Sequence, residues 1–414
     1  MLLSHPSGNS NVRETLRALD ENSLLSQYVT FFATIRGNVF DKLSKLPGGS
    51  EFDRRRLDVR YAKKVACKPW PELMRLLAQR FGWHWLIQHQ VGLFCPDRNN
   101  ERLGRFAVER LSSSPHASFQ AVYGYEDTAL ESFSAAKKLG LKTIYDLPTG
   151  YWRASKELFE EERAREPLWS QLLPVLRDTE VKLGRKEREL ELADVVITAS
   201  GFTKHTLDMF PGKLPPVVTV PYGAPEPLGR KMEASRDGKL KCLFVGTLSQ
   251  QKGLSYMFEA LRMVDVPVEM TVVGRPGRAD FQPLNEALSK VNYIPSLPNA
   301  KILELMHRQD VLLFPTLFDG FGLVMLEAMS RGCVVVATPN CGASDILTDG
   351  EDGFIVPIRD PQAIAEKLEL LYRDRDRLVL MSRAASTKAG KLTWSAYRQT
   401  IASAVREVLA EGCA

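Results

Sequence analysis

Nothing in this chain is apolar for long enough to cross a bilayer, which takes about 20 residues. The first residues, Met1-Leu2-Leu3-Ser4-His5-Pro6, lack the basic start and long apolar core of a secretory signal, so the cytoplasm is the expected address. Charge of one sign is also scarce. Lys and Arg total 55 against 50 Asp and Glu, and the net of +5 is too small to point to nucleic acid. Six cysteines, at 67, 95, 242, 333, 341 and 413, show neither zinc-ribbon nor redox spacing, and they read as buried thiols in a reducing compartment. No Gly-x-Gly-x-x-Gly follows a strand-like run, which argues against a nicotinamide dehydrogenase. Neither an internal repeat nor a low-complexity tract is present.

What remains is an ordinary globular composition, 44% apolar and 25% charged, over 414 residues. That length suits two or three domains. Leu2–Ser4 reads as a strand, His5 to Ser10 as a turn-rich loop, 11–22 as an amphipathic helix and 28–32 as a second strand. Strand, Gly loop, helix, strand opens a doubly wound α/β domain. Residues 37–118 show no clean period and read as irregular structure and helices. Alternation resumes with strands at 120–123, 142–145, 194–198 and 217–220. Two charged helical stretches, 151–165 and 171–192, lie between them, and Ser200 caps a helix over 202–209.

Pro221, Gly223, Pro225, Pro227 and Gly229 then cluster as an inter-domain hinge. Beyond it, strands at 241–245, 268–273, 311–314, 334–337 and 354–356 alternate with helices at 254–263, 300–307, 323–331 and 361–372. This implies a second parallel sheet covered on both faces. A last helix starts near Ser395. The expected domains are 1–222 and 231–394, with helix 395–414 packing back on the first. Ligands of such folds bind in the crevice beyond the carboxyl ends of the strands.

The strongest motif is Asp319-Gly320-Phe321-Gly322-Leu323-Val324-Met325-Leu326-Glu327. A buried strand ends, a Gly-bearing loop turns, and a helix begins near Gly322. Free N–H groups and the positive end of that helix suit a diphosphate, and Gly320 and Gly322 allow close backbone approach. Glu327, in the second turn, could grip ribose hydroxyls, and Asp319 would face the donor's sugar. A second motif, Gly246-Thr247-Leu248-Ser249-Gln250-Gln251-Lys252-Gly253, places the Lys252 ammonium before a helix, where it can neutralise a diphosphate leaving group. Asp345, in Gly342-Ala343-Ser344-Asp345, reads as a helix-start residue. Asp374-Arg375-Asp376 has the spacing of a metal-diphosphate motif, but it ends a charged helical run and reads as solvated, so no metal is expected. The basic run Arg54-Arg55-Arg56 to Lys63-Lys64 and Lys68 reads first as a solvated face and second as a patch for an anionic membrane or phosphorylated acceptor.

At these motifs the chain resembles the retaining glycosyltransferases of family 4, the glycosyl transferases group 1, which have the GT-B fold of two Rossmann-like domains facing a cleft. The Gly-Phe-Gly-Leu…Glu-Ala-Met context and the Lys252-Gly253 pair carry the likeness, strongest over 194–398. Asp319 stands where the family usually has Glu. Thr247 takes a slot often held by a basic residue, so one cationic contact is missing or supplied from elsewhere. Gly8 occupies the loop where the family places a glycine near the diphosphate and acceptor. Pro148 replaces a histidine near the reacting sugar, which makes Asp146 the substitute candidate.

The resemblance implies catalytic roles for Asp319, Lys252 and Asp146. It implies donor contacts from Gly8, Gly246, Thr247, Lys252, Gly320, Phe321, Gly322, Leu323 and Glu327. The implied reaction moves a sugar from a UDP-, GDP- or ADP-sugar to a glycan, lipid-linked or small-molecule hydroxyl, with retention and without cofactor or metal. Peripheral contact with the inner face of a membrane is also implied, and nucleic acid is not. Two alternatives remain open: a nucleotide-sugar 2-epimerase on the same fold, and a non-catalytic interaction protein.

Overall fold

The computed structural model describes residues 1–46, 49–113, 119–174, 178–228, 238–278 and 280–410. Two wholly parallel sheets carry the molecule. The first has seven strands, β1 (Leu2–Ser4), β2 (Gln27–Thr30), β5 (Val65–Cys67), β6 (Ala121–Tyr125), β7 (Lys142–Leu147), β8 (Val195–Thr198) and β9 (Val217–Thr219), in the order β5-β2-β1-β6-β7-β8-β9. A small pair, β3 (Thr34–Ile35) and β4 (Arg56–Leu57), stands apart from it. The second sheet has six strands: β10 (Leu240–Val245), β11 (Val268–Val273), β12 (Asn292–Ile294), β13 (Val311–Phe314), β14 (Val334–Ala337) and β15 (Gly353–Ile355). Their order is β12-β11-β10-β13-β14-β15.

The strand sequences explain the layering. Val311-Leu312-Leu313-Phe314 and Val334-Val335-Val336-Ala337 are buried at every position, as strands covered on both faces must be. In each sheet the order reverses once, between β1 and β6 in the first and between β10 and β13 in the second. Crevices open where neighbouring strands lead their loops in opposite directions.

Each sheet also receives a segment from the far end of the other half. Helix Trp394–Ala410 lies on helix Ser10–Glu21, where Tyr397 Oη meets Thr15 Oγ1 at 2.7 Å and Arg398 pairs with Glu14 at 2.6 Å. In the opposite direction, helix Trp152–Arg165 reaches the second half through Glu162, which accepts from Gln250, Tyr256 and Arg359, and the turn Trp169–Leu172 packs on that half. Trp169 stacks on Phe258 and meets Phe281 edge-on, and Leu172 joins the core built around Leu240 and Cys242. The sequence assigned these residues to the first domain alone. Their apolar side chains are too few and too scattered along charged helices to show which sheet they cover.

Other departures are local. Ser200 caps as expected, its Oγ accepting from Thr203 N, but the helix stops at Thr206 and a 3-10 turn follows. The stretch 171–192 splits into a 3-10 turn and helix Glu180–Glu191. Helices Gln282–Leu288 and Arg375–Ala389 and strand β12 went unread. Asp374 and Asp376 are exposed, as expected, but Asp374 also starts a helix. Its Oδ1 accepts from Arg377 N at 2.9 Å, capping the next helix. Gly229, Cys413 and the last residues of helix 395–414 fall outside the described residues.

Candidate functional site

The loops after the two reversal points face each other. A cavity of about 580 Å³ has Gln251 and Lys252 from the loop after β10 and Phe318, Asp319 and Gly320 from the loop after β13 on one wall. Glu126 after β6 and Thr149 and Gly150 after β7 form the other. A second hollow of about 650 Å³ continues past Lys252 to Thr247, Ser249 and Arg278. Gln251 ties the two donor-side loops together: its Nε2 donates to Phe318 O at 2.8 Å, and its carbonyl accepts from Leu317 N and Thr316 Oγ1.

Lys252 and Asp319 form an ion pair through Nζ and Oδ2. The other carboxylate oxygen of Asp319 accepts from Phe321 N at 3.1 Å, which fixes its direction. Helix Leu254–Met263 and helix Leu323–Ser330 both begin at a left-handed glycine, Gly253 (φ +69°) and Gly322 (φ +84°), without a capping side chain. The start at Leu323 therefore keeps its first amides open to an anion, unlike those of helices closed by Asn9, Thr179 or Asp360, whereas at the other start Gln250 Oε1 already accepts from Ser255 N at 3.1 Å. Gly253 is also forced by space, since a Cβ there would lie 1.9 Å from Pro315 O. Gly246 sits at the end of β10, its N–H bonded to Val273 O at 3.0 Å.

Gly320 serves a different approach from the one expected. A Cβ there would lie 1.9 Å from Pro148 O, so this glycine lets the donor loop touch the other half of the molecule at the cavity wall. Its carbonyl accepts from Ser200 Oγ at 2.6 Å and Thr203 Oγ1 at 2.9 Å. Phe321 is buried against Tyr222, and Asp345 Oδ2 accepts from Gly201 N at 2.9 Å. Asp345 thus joins the two halves instead of merely starting a helix. Glu327 stands in the second turn as expected, where Asn299 Nδ2 donates to its Oε1 at 2.8 Å and burial raises its pKa. Leu323 is half-buried beside it.

Asp146, expected near the reacting sugar, and Gly8, expected near the diphosphate and acceptor, line neither cavity. Asp146 is 3% exposed. β7 runs on to Leu147, so Asp146 sits inside the pleat, paired with Tyr125, rather than on the loop beyond the strand. Tyr123 Oη donates to its Oδ2 at 2.7 Å, and burial pushes its pKa up to about 7. Gly8 has the left-handed backbone its type suggests (φ +66°), but His5 Nδ1 accepts from both Ser7 N and Gly8 N, which consumes the loop's amides internally. Burial, then the Arg55 charge, lowers the His5 pKa to about 3, so the imidazole remains an acceptor.

Asp178 and Glu180 line this cavity as well, and the carboxylate after β6 that lines it with Lys252 and Asp319 is Glu126, whose pKa burial raises. The signal for it was Glu126-Asp127 directly after the strand at 121–125. Arg278 was missed as well. It faces the same hollow as Thr247 and Lys252, with its guanidinium paired to Asp280 at 2.7 Å. The basic run 54–68 is largely neutralised: Arg55 meets Glu72 at 2.6 Å, Arg56 meets Asp41 at 2.8 Å, Lys64 meets Asp20 at 2.6 Å and Lys68 meets Glu109 at 3.0 Å. Among the described residues no helix is long and apolar enough to cross a membrane.

Comparison with known proteins agrees with this geometry. Residues 227–388 match the family described as Glycosyl transferases group 1. The D-inositol 3-phosphate glycosyltransferase of Corynebacterium urealyticum is 30% identical over 165 residues, which are 36% of this chain and 39% of that one. The glycogen synthase of Mycobacterium tuberculosis is 27% identical over 180 residues, 42% of this chain and 43% of that one. The matched part thus spans about two-fifths of the length of these curated relatives. Among solved structures, HepE of Anabaena in complex with UDP superposes with a TM-score of 0.63 at 16% identity, over 98% of this chain and 99% of that one. Sucrose-phosphate synthase of Thermosynechococcus elongatus does so with a TM-score of 0.64 at 15% identity, over 99% of each. The fold is GT-B.

Proposed function

We propose that this chain, a GT-B protein whose C-terminal half carries a group 1 glycosyl transferase domain, moves a sugar from a nucleotide-sugar to an acceptor hydroxyl with retention of configuration. The observation that carries the reading is the cavity that Lys252, Asp319 and Gly320 share with Glu126, lined by the loops that lead into the two glycine-started helices. A nucleoside diphosphate would lie on the free amides at Leu254 and Leu323, with its ribose towards Glu327. Lys252, assisted by Arg278, would compete for the phosphates against Asp319 and stabilise charge as the bond from the anomeric carbon to the diphosphate oxygen breaks. The bonding electrons leave with the diphosphate. Asp319, released from the ion pair, would hold a hydroxyl of the sugar. The acceptor then attacks from the side of the departing diphosphate, near Glu126. This positive charge comes from the protein itself, so the reading calls for no metal.

The test is a thermal-shift screen of UDP-, GDP- and ADP-sugars, followed by product analysis with the stabilising donor. A nucleotide-sugar should raise the melting midpoint of the native protein. Glu327→Ala should remove that rise while leaving the unliganded midpoint nearly unchanged. Stabilisation that survives intact in Glu327→Ala would remove this site from the reading.

A further inference from the structure

We infer that the first half of this molecule docks on an anionic lipid surface through an aromatic stripe and the basic groove beside it, formed by residues 70–94 and helix Pro96–Ser113. The stripe is a surface the sugar-transfer site does not use. Trp70, Leu77 and Phe81 follow one another at spacings of seven and four, so helix Trp70–Arg80 and its C-cap carry them on one face. All three point into solvent, and Trp70 is 65% exposed. Trp83 stacks on Phe81, and Trp85, 71% exposed, comes two residues later. Water-facing tryptophans grouped in this way are rare on a soluble surface and suit the headgroup level of a bilayer, where an apolar ring and a polar N–H are both satisfied.

Charge says which kind of surface covers them. From Leu73 to Cys95 the sequence contains no Asp or Glu. Glu72, just before, is buried between Arg55 and Arg75. The chain then passes directly into the basic groove. Arg98, Arg102 and Arg105, at spacings of four and three, share one face of helix Pro96–Ser113, and Arg185 and Arg188 of helix Glu180–Glu191 line the opposite side of a cavity of about 760 Å³.

The four carboxylates in that wall are already engaged: Asp97 by Lys182 at 2.7 Å, Asp127 by the same lysine at 3.6 Å, Glu101 by Arg105 at 3.1 Å and Glu131 by Arg185 at 2.8 Å. Arg102 instead bonds neutral oxygens, Leu93 O and Asn99 Oδ1, and lies over the Phe94 ring, which joins the groove to the stripe. Burial, with the nearby Arg105 and Arg98 charges, lowers its pKa, a sign of crowded positive charge. Arg98 is exposed at the rim. Apolar rings on an acid-free stretch, bordered by the Arg98 and Arg102 guanidinium groups, match a membrane bearing phosphate headgroups, while Arg105, Arg185 and Arg188 are held by Glu101, Glu131 and Glu191.

The inference does not rest on the sugar-transfer reading, because its assay contains no donor. The full chain is sedimented with vesicles of phosphatidylcholine alone and of phosphatidylcholine and phosphatidylglycerol in equal parts. Binding to the anionic vesicles only, released by salt, is expected. The double variants Trp70→Ser/Trp85→Ser and Arg98→Glu/Arg102→Glu should each weaken it by about tenfold or more, with melting midpoints near that of the native chain. Failure of the native chain to bind anionic vesicles would overturn the inference, as would undiminished binding by both variants. So would light scattering that shows a native dimer which Trp70→Ser/Trp85→Ser turns into a monomer, since a second copy would then cover the stripe.

Discussion

The two walls of the central cavity follow the same topological rule and are built in different ways. On the side of β10 and β13, the loops are short and stitched together through Gln251, and each leads into a helix that starts at a left-handed glycine. Ligand-ready groups there are backbone amides and the Lys252–Asp319 pair. On the side of β1, β6 and β7, the loop amides at Ser7 and Gly8 are already bonded to His5, and the strand-end carboxylate has moved from Asp146 to Glu126. One wall is a prepared anion site, while the other is a set of side chains whose identity selects what meets the anion. Backbone geometry constrains the first; the second is free to vary.

The largest effect should come from the segment that connects these walls. Glu162, on helix Trp152–Arg165, is fully buried and accepts from Gln250 Nε2 at 2.7 Å, Tyr256 Oη at 3.0 Å and Arg359 Nε at 2.8 Å. Gln250 opens the turn that carries Lys252. Removing one partner of a buried pair strands the other, so Glu162→Ala should cost about 3–5 kcal/mol in denaturant unfolding. A loss under about 1 kcal/mol would mean the helix does not hold the donor loop.

Lys252→Ala should lower kcat/KM by about 10²–10³-fold, the scale of losing one charged stabiliser of a leaving group. Arg278→Ala should do less, because Arg278 is exposed and already paired with Asp280. If the two variants behave alike in steady-state kinetics, the donor wall is not centred on Lys252.

Gly320→Ala separates the walls themselves. Its methyl group would meet Pro148 O at 1.9 Å, so the halves must shift apart. A loss of about 1–3 kcal/mol in stability is expected, together with a raised KM for donor. A variant with native stability and native KM would show that the contact between the loops is dispensable.

The smallest effect concerns pH. In strong acid both the folded and unfolded chains keep the Asp146 proton, and its burial costs nothing. As pH rises from the ordinary carboxylate range towards about 7, the unfolded chain ionises freely while the folded one holds its proton, so stability falls across that window. Asp146→Asn should remove this part of the dependence, and its midpoint should gain on the native one as pH approaches neutrality. A constant difference between the two melting curves would contradict the assignment. Activity should also survive Asp146→Asn better than Glu126→Gln.

Much of the second half was legible because its signals are local. Four buried β-branched or apolar residues in a row can only be a covered strand, as at Val311 and Val334, and a Gly-bearing loop between strand and helix dictates its own backbone. Residues 37–118 were not legible: there short strands such as β5 pair with a partner far away in sequence, and polar side chains such as Arg55 and Glu72 are buried as pairs. β7 runs two residues past the expected 142–145, so Asp146 lies within the strand, where its side chain enters the layer packed on the sheet, and not on the loop beyond it.

By itself, then, the sequence determined two parallel sheets, the loops that end them and the chemical character of the anion wall, since all of these follow from runs of neighbouring residues. Only the tertiary structure decided that Glu162 and residues 169–172 reach the far half, that Gly320 spaces one half from the other, and that Glu126 rather than Asp146 lines the cavity with Lys252. Those outcomes depend on contacts between residues tens to hundreds of positions apart, whose closure is governed by packing and burial and leaves no local pattern to read.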